Sequence, residues 1–195
     1  AETLKRCTME LGGHAPLIVF DDADIENALN VSVAFKFRNA GQVCISPTRF
    51  YVQDKVYKSF LKGFSERAKA IKVGNGLEEG VQMGPLIDER RLPIMEGFVS
   101  DAVNSGAKLE TGGERLGNLG YFYAPTVMSD VPHTSKIMTE EPFGPLAPIS
   151  HFNNFDEVIE RSNALPYGLA AYVFTTDGEK ASKTSQALDA GVIGI

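Results

Sequence analysis

Two cysteines occur in the chain, and only Cys44 stands where a thiol could do chemistry. It closes the run Arg38-Asn39-Ala40-Gly41-Gln42-Val43-Cys44, directly after a predicted helix and a glycine-containing break. A nucleophilic cysteine must be accessible and partly ionised, and a turn can aim its own backbone N–H groups at an oxyanion. Taken alone, a cysteine is more often a small buried hydrophobe. Glu10 precedes Leu11-Gly12-Gly13, where two glycines let backbone approach a ligand or another strand. If partly desolvated, a carboxylate there would hold its proton more tightly and could activate water near neutral pH; the alternative is a solvated glutamate at a strand end. Glu140-Glu141-Pro142-Phe143-Gly144-Pro145 joins two carboxylates to a turn that fixes an aromatic ring. Such a turn could bond sugar hydroxyls and pack a flat ring on Phe143, or be an exposed charged loop. Cys7 has no motif around it and is expected to be a packing residue.

These groups need elements to position them. Leu17–Phe20 is a short strand ending at Asp21-Asp22, and Asp24 opens a helix with Ile25, Ala28, Leu29 and Ser32 at helical spacing. Arg49–Gln53 is a second strand. Asp54 is the expected N-cap of a helix whose stripe is Val56, Phe60, Leu61, Phe64 and Ala68, stopped by the glycines of 74–80. A further helix is expected over 88–104 with Ile94, Phe98 and Ala102 inward, closed by Gly106. Lys108–Thr111 and Ala124–Met128 are strand candidates. Phe155–Asn163 is helical with Val158 and Ile159 inward, Leu169–Phe174 is a strand, 178–188 is helical and 191–195 extended. Helices alternating with almost continuous apolar strands predict an α/β fold: a mainly parallel twisted sheet with helices on both faces.

The bulk properties narrow the classes of function. Hydrophobic residues make up 43% and charged residues 23% of 195, enough for one domain with a substantial core. The net charge of −6, without a basic run, argues against nucleic acid and anionic membranes. No apolar stretch is long enough to span a bilayer and no signal peptide is visible, so a cytoplasmic location is expected. His14, His133 and His151 lack the spacing of a metal site, and no metal is expected. The sequence opens on Ala1-Glu2-Thr3 and closes inside a predicted strand, so a fragment is expected.

Taken in order and at these separations, Glu10-Leu11-Gly12-Gly13, Gly41-Gln42-Val43-Cys44 and Glu141-Pro142-Phe143-Gly144-Pro145 resemble the aldehyde dehydrogenase superfamily. The resemblance runs the whole length, including Asn163–Leu169 and Gly191-Val192-Ile193, and covers the family's catalytic domain but not its dinucleotide-binding domain. It implies that Cys44 attacks an aldehyde to give a thiohemiacetal, whose oxyanion is held by the Cys44 N–H and an asparagine of the other domain. Hydride then passes to NAD or NADP, and Glu10 activates the water that hydrolyses the thioester. It further implies that Glu141 binds the nicotinamide ribose, that Phe143 packs beside the nicotinamide, and that the protein is a homo-oligomer.

Lys36–Gln42, Gly12–Pro16 and Phe20–Asp24 look most like the succinate-semialdehyde dehydrogenase branch. There the arginine matching Arg38 helps to hold a distal carboxylate, as a guanidinium can in bidentate fashion; a helix-terminal arginine complementing the dipole is the alternative. Ser46 stands where some members carry a second cysteine, which removes a redox disulfide, and His14 stands where lysine is common. Without G-x-G-x-x-G, the segment alone is expected to be inactive as a dehydrogenase. Two readings from other classes compete: a cofactor-independent thiol hydrolase using Cys44 and Glu10, and a non-catalytic interaction domain pairing through its terminal strand.

Overall fold

The computed structural model describes residues 4–195. Seven strands form one sheet: β1 (Ala15–Val19), β2 (Pro47–Gln53), β3 (Lys108–Thr111), β4 (Thr126–Ser129), β5 (Leu146–Phe152), β6 (Ala170–Phe174) and β7 (Val192–Gly194). Their order is β3-β4-β5-β2-β1-β6-β7, and every neighbouring pair is parallel except β3 and β4. The expected mainly parallel α/β sheet is therefore present. All five residues of β1 are buried, which requires cover on both faces of the sheet.

The helices are α1 (Ile25–Phe37), α2 (Asp54–Ala70), α3 (Arg91–Asn104), the single turn α4 (Lys136–Thr139), α5 (Phe155–Asn163) and α6 (Gly178–Ala187). Asp24 caps α1 as expected, accepting from the Asn27 N–H at 3.0 Å. Asp54 is not an N-cap: Gln53 holds that position and Asp54 is the first helical residue, where its charge still complements the helix dipole. α3 starts at Arg91, later than expected, and its buried stripe is Leu92, Met95, Phe98, Val99 and Ala102. Ile94 is 41% exposed, because the apolar face is rotated toward Met95. Gly106 ends the helix at φ 108°, and the Ala107 N–H reaches back to the Ala102 carbonyl at 2.9 Å.

β5 carries no clear sequence signal, since Pro148 breaks an apolar run that would otherwise read as a strand. It nevertheless lies between β4 and β2 with six of its seven residues buried. Phe37, Phe50, Phe60 and Phe64 stack their rings between α1, α2 and β2, with centroids 5.2–6.0 Å apart. That cluster fixes the last turn of α1, and so the start of the segment that leads to Cys44. No helix among the described residues is long and apolar enough to cross a membrane.

Candidate active site

The candidate residues gather at the amino ends of parallel strands. Gly12-Gly13 lies just before β1, Cys44 before β2, Glu141–Gly144 before β5 and Leu169 before β6. Neighbouring parallel strands start at the same edge, so four segments distant in sequence meet along one rim.

The nucleophile turn is built from unusual backbone. Asn39, Ala40 and Gly41 all have positive φ (51°, 54° and 70°), which reverses the chain after α1. Two of the three carry a Cβ, each at a cost of about 1 kcal/mol or more. Neighbours hold this turn. Gln42 accepts from the Ile87 N–H at 2.8 Å and donates to the carbonyls of Asn39 (3.1 Å) and Pro85 (3.3 Å). The Ser46 N–H bonds to the Val43 carbonyl at 2.9 Å, and Tyr172 Oη donates to the Ile45 carbonyl at 2.7 Å. Cys44 is held half-buried between these two bonds.

Cys44 Sγ lies 3.9 Å from Glu10 Oε2, within reach of a long S–H···O contact. The Glu10 strap, residues 4–12, has no regular structure and is exposed throughout. The expected partial desolvation of Glu10 is therefore not supplied by the described residues, none of which packs over the strap. Cys7, expected to pack, is also exposed on it.

Glycine makes the close approaches possible. A Cβ on Gly13 would come 2.4 Å from the Cys44 carbonyl oxygen, and one on Gly12 would come 2.3 Å from Glu141 Oε2. At Gly41 it would meet the Gly144 carbonyl oxygen at 2.1 Å. The Cys44 motif thus touches each of the other two through backbone, and the Gly12-Gly13 and Glu141 motifs meet through the Glu141 carboxylate. Glu141 Oε1 accepts from the Gly13 N–H at 3.1 Å, so its carboxylate lies flat against the Gly12-Gly13 backbone. Phe143 is half-buried and has φ 42°, a strained conformation for an aromatic residue. Arg38 ends α1 exposed to solvent and lines a groove of 610 Å³ with Asn30, Val33, Arg67, Ile71 and Gln82. Neither Cys44, Glu10 nor Glu141 lines that groove, and among the described residues Arg38 makes no salt bridge.

Beneath the rim lies a buried polar layer. Burial, helped by Arg49 and Lys36, pushes the His14 imidazole down to about 3, so it is neutral near pH 7 and its Nδ1 lies 2.6 Å from Thr48 Oγ1. The Arg49 guanidinium donates to the carbonyls of His14 (2.9 Å), Arg161 (3.0 Å) and Ser162 (3.0 Å), which fastens the segment after Gly13 to the sheet. Lys36 is fully buried with no partner for Nζ among the described residues, and desolvation pulls it down to about 7. Burial and the nearby Cys44 charge raise the Tyr172 phenol to about 12, which keeps it a hydrogen-bond donor. Tyr172, Gln42 and Arg49 are site-building residues that apolar patterning did not reveal. Only Gln42 carried a signal, through its place beside the Gly41 break.

The family model described as "Aldehyde dehydrogenase family" matches residues 1–195. The chain belongs to the aldehyde dehydrogenase family. It is 45% identical over 195 residues to a probable succinate-semialdehyde dehydrogenase [NADP(+)] of Sinorhizobium fredii, and 45% identical to a 3-sulfolactaldehyde dehydrogenase of Pseudomonas putida. Each match covers 100% of this chain and 40% of the relative, so the chain spans about two fifths of the curated relatives' length. Among solved structures, an NADP-dependent enzyme of E. coli superposes with a TM-score of 0.93 at 43% identity, covering 95% of this chain and 39% of that one. The sheet described above is thus the fold of solved aldehyde dehydrogenase relatives, such as one from Brucella melitensis at a TM-score of 0.92.

Proposed function

We propose that residues 1–195 are the catalytic domain of an NAD(P)-dependent aldehyde dehydrogenase that oxidises an aldehyde bearing a distal anion, such as succinate semialdehyde, to the acid. One observation carries the reading: the Cys44 sulfur and the Glu10 carboxylate stand 3.9 Å apart on a rim shared with the Glu141 turn. Cys44 attacks the aldehyde carbon, and the thiohemiacetal oxyanion gathers against the Cys44 N–H. Loss of hydride leaves a thioester on Cys44. Glu10 then takes a proton from water as that water attacks the thioester carbon, and the carboxylic acid leaves as the thiolate is restored. Glu10 suits this role because it stands beside the sulfur and needs only a small swing to reach a water next to it.

The residues present fit a dinucleotide. Glu141 spends one of its carboxylate lone pairs on the Gly13 N–H and keeps others for ribose hydroxyls, while the strained turn presents the Phe143 ring. When bound, the dinucleotide supplies the hydride acceptor. Its binding domain is assigned to the part of the protein outside this chain, so the segment alone is expected to lack dehydrogenase activity. That domain would also cover the exposed Glu10 strap and partly desolvate its carboxylate. A cytoplasmic location suits a nucleophile that must stay reduced, and the exposed Val192 on edge strand β7 suits a homo-oligomer.

The substrate class rests on the relatives named above and on Arg38, six residues before Cys44, whose guanidinium is exposed and free of acidic partners among the described residues, in a groove that Cys44, Glu10 and Glu141 do not line. Equal identity to relatives named for a carboxylated and for a sulfonated aldehyde supports a sulfonate as a second reading of the same anion site. The test is a panel of succinate semialdehyde, a sulfonated aldehyde and a neutral aldehyde of similar length, each with NAD and NADP, on the full-length protein. Arg38→Ala is expected to raise KM for the anionic substrates roughly tenfold more than for the neutral one. Equal effects on all three would remove the anion-specificity assignment.

A further inference from the structure

The turn 141–143 is held from one side by Gly13, and from the other by a residue that belongs to no motif. Arg91, the first residue of α3, donates Nη2 to the carbonyls of Pro142 and Phe143, the latter at 3.1 Å. Its guanidinium also lies in the field of the Glu141 carboxylate. One turn further along α3, Met95 packs on Gly144, where a Cβ would come 2.1 Å from its Sδ. Phe143 at φ 42° does not keep such a backbone unaided, and its carbonyl is one of the two that Arg91 ties down. The chain just before α3 is fixed in turn by Gln42, through Ile87 and Pro85.

We infer that Arg91 is a positioning residue for the cofactor turn: it holds the Phe143 ring and the Glu141 carboxylate in the orientation that receives the nicotinamide ribose. The inference rests on the reading of Glu141 and Phe143 given above. Arg91 is partly buried, its Nε has no partner among the described residues, and both bonds made by Nη2 go to the two carbonyls of this turn. Both bonds come from the one nitrogen Nη2, whose two N–H groups serve adjacent carbonyls; a lysine ammonium has the donors to do the same but sits on a shorter stem and holds the pair less firmly. The turn is therefore held in shape before ligand arrives, and dinucleotide binding does not bear the cost of ordering it.

The test uses the full-length protein with Arg91→Met and Arg91→Lys. Dinucleotide affinity is measured by titration with whichever of NAD and NADP the unaltered protein binds. Cofactor-free hydrolysis of p-nitrophenyl acetate by Cys44 is measured in parallel. Arg91→Met is expected to weaken dinucleotide binding roughly tenfold, the size of one charge-assisted hydrogen bond, with ester hydrolysis within about twofold of the unaltered protein. Arg91→Lys should fall between the two and guards against a poorly folded Met variant. Equal affinity in all three proteins would overturn the inference, as would ester hydrolysis falling in step with affinity, which marks a general loss of structure. If the unaltered protein binds neither dinucleotide, the reading of Glu141 and Phe143 fails first and the inference falls with it.

Discussion

The two ends of the same parallel strands are built on opposite principles. At the carboxyl end, Asp22 after β1 is a fully satisfied hub: it accepts from Thr175 Oγ1 (2.6 Å), the N–H groups of Thr176 (2.8 Å) and Asp177 (3.0 Å), and Lys180 Nζ (2.6 Å). At the amino end, Asn39, Ala40 and Phe143 sit in left-handed backbone, glycines let neighbouring carbonyls come close, and Lys36 is buried without a partner among the described residues. Open α/β sheets commonly bind ligands beyond the carboxyl ends of their strands. Here that end ties the fold together, and the candidate chemistry occupies the strained end. Backbone strain persists only where the surroundings over-determine it, and the amino rim shows how: Gln42 clamps the Asn39–Gly41 turn and Arg91 the Phe143 turn.

The sharpest way to break the contrast is Gly13→Ala. Its Cβ would come 2.4 Å from the Cys44 carbonyl oxygen, with Leu169 at 3.4 Å behind it, so the nucleophile turn must move. In the full-length protein kcat/KM is expected to fall on the order of a hundredfold, with thermal stability lower by about 1–3 kcal/mol. Unchanged kinetics would show that the two motifs do not depend on one another.

Two lysines sharpen the same comparison. Lys36 has a folded pKa of about 7, below its unfolded value of about 10.4. Between these values the unfolded chain binds the extra proton, so stability rises with pH from about 7 to 10; below pH 7 the full penalty of the buried charge applies. Lys36→Met should therefore stabilise the protein by about 1–3 kcal/mol at pH 6, and the gain should shrink as pH approaches 10 in denaturant melts. A loss of stability at pH 6 would mean that the ammonium has a partner.

Lys180 is the paired counterpart. Partial burial works to raise the Asp22 carboxyl, but hydrogen bonds from Lys180, Thr175 and Thr176 outweigh it and hold the group below the usual carboxylate range. Its contribution is present above the unfolded value near 4 and is lost as pH falls through the depressed folded value. Asp22→Asn should cost about 1 kcal/mol at pH 7, a figure kept low because the side chain is about a quarter exposed, and the difference from the unaltered protein should fade in acid. A difference that persists undiminished in acid would assign the effect to packing.

The sequence is most legible where a single physical rule governs. The continuous apolar run of β1, the Asp24 cap and the Gly106 terminus were readable because each depends on local chemistry. The three motifs were readable as types, and their contacts follow from parallel strands starting at one edge. What stayed hidden depends on tertiary partners. Pro148 conceals β5, Met95 takes the inward place expected of Ile94 where α3 meets Gly144, and Tyr172, Arg49 and Arg91 act through carbonyls that no residue pattern marks. Glu10 illustrates the converse: its place beside the sulfur was legible, whereas its exposure reflects what covers the strap.

The central claim, that Cys44 and Glu10 serve one covalent intermediate, is tested most directly by a single rapid-mixing measurement on full-length Glu10→Gln with substrate aldehyde and dinucleotide. The account predicts a burst of reduced dinucleotide close to one per active site, then turnover slowed on the order of a hundredfold, with an acyl group on the Cys44 peptide in mass spectra of the quenched enzyme. Full steady-state turnover without an acylated Cys44 peptide would contradict it.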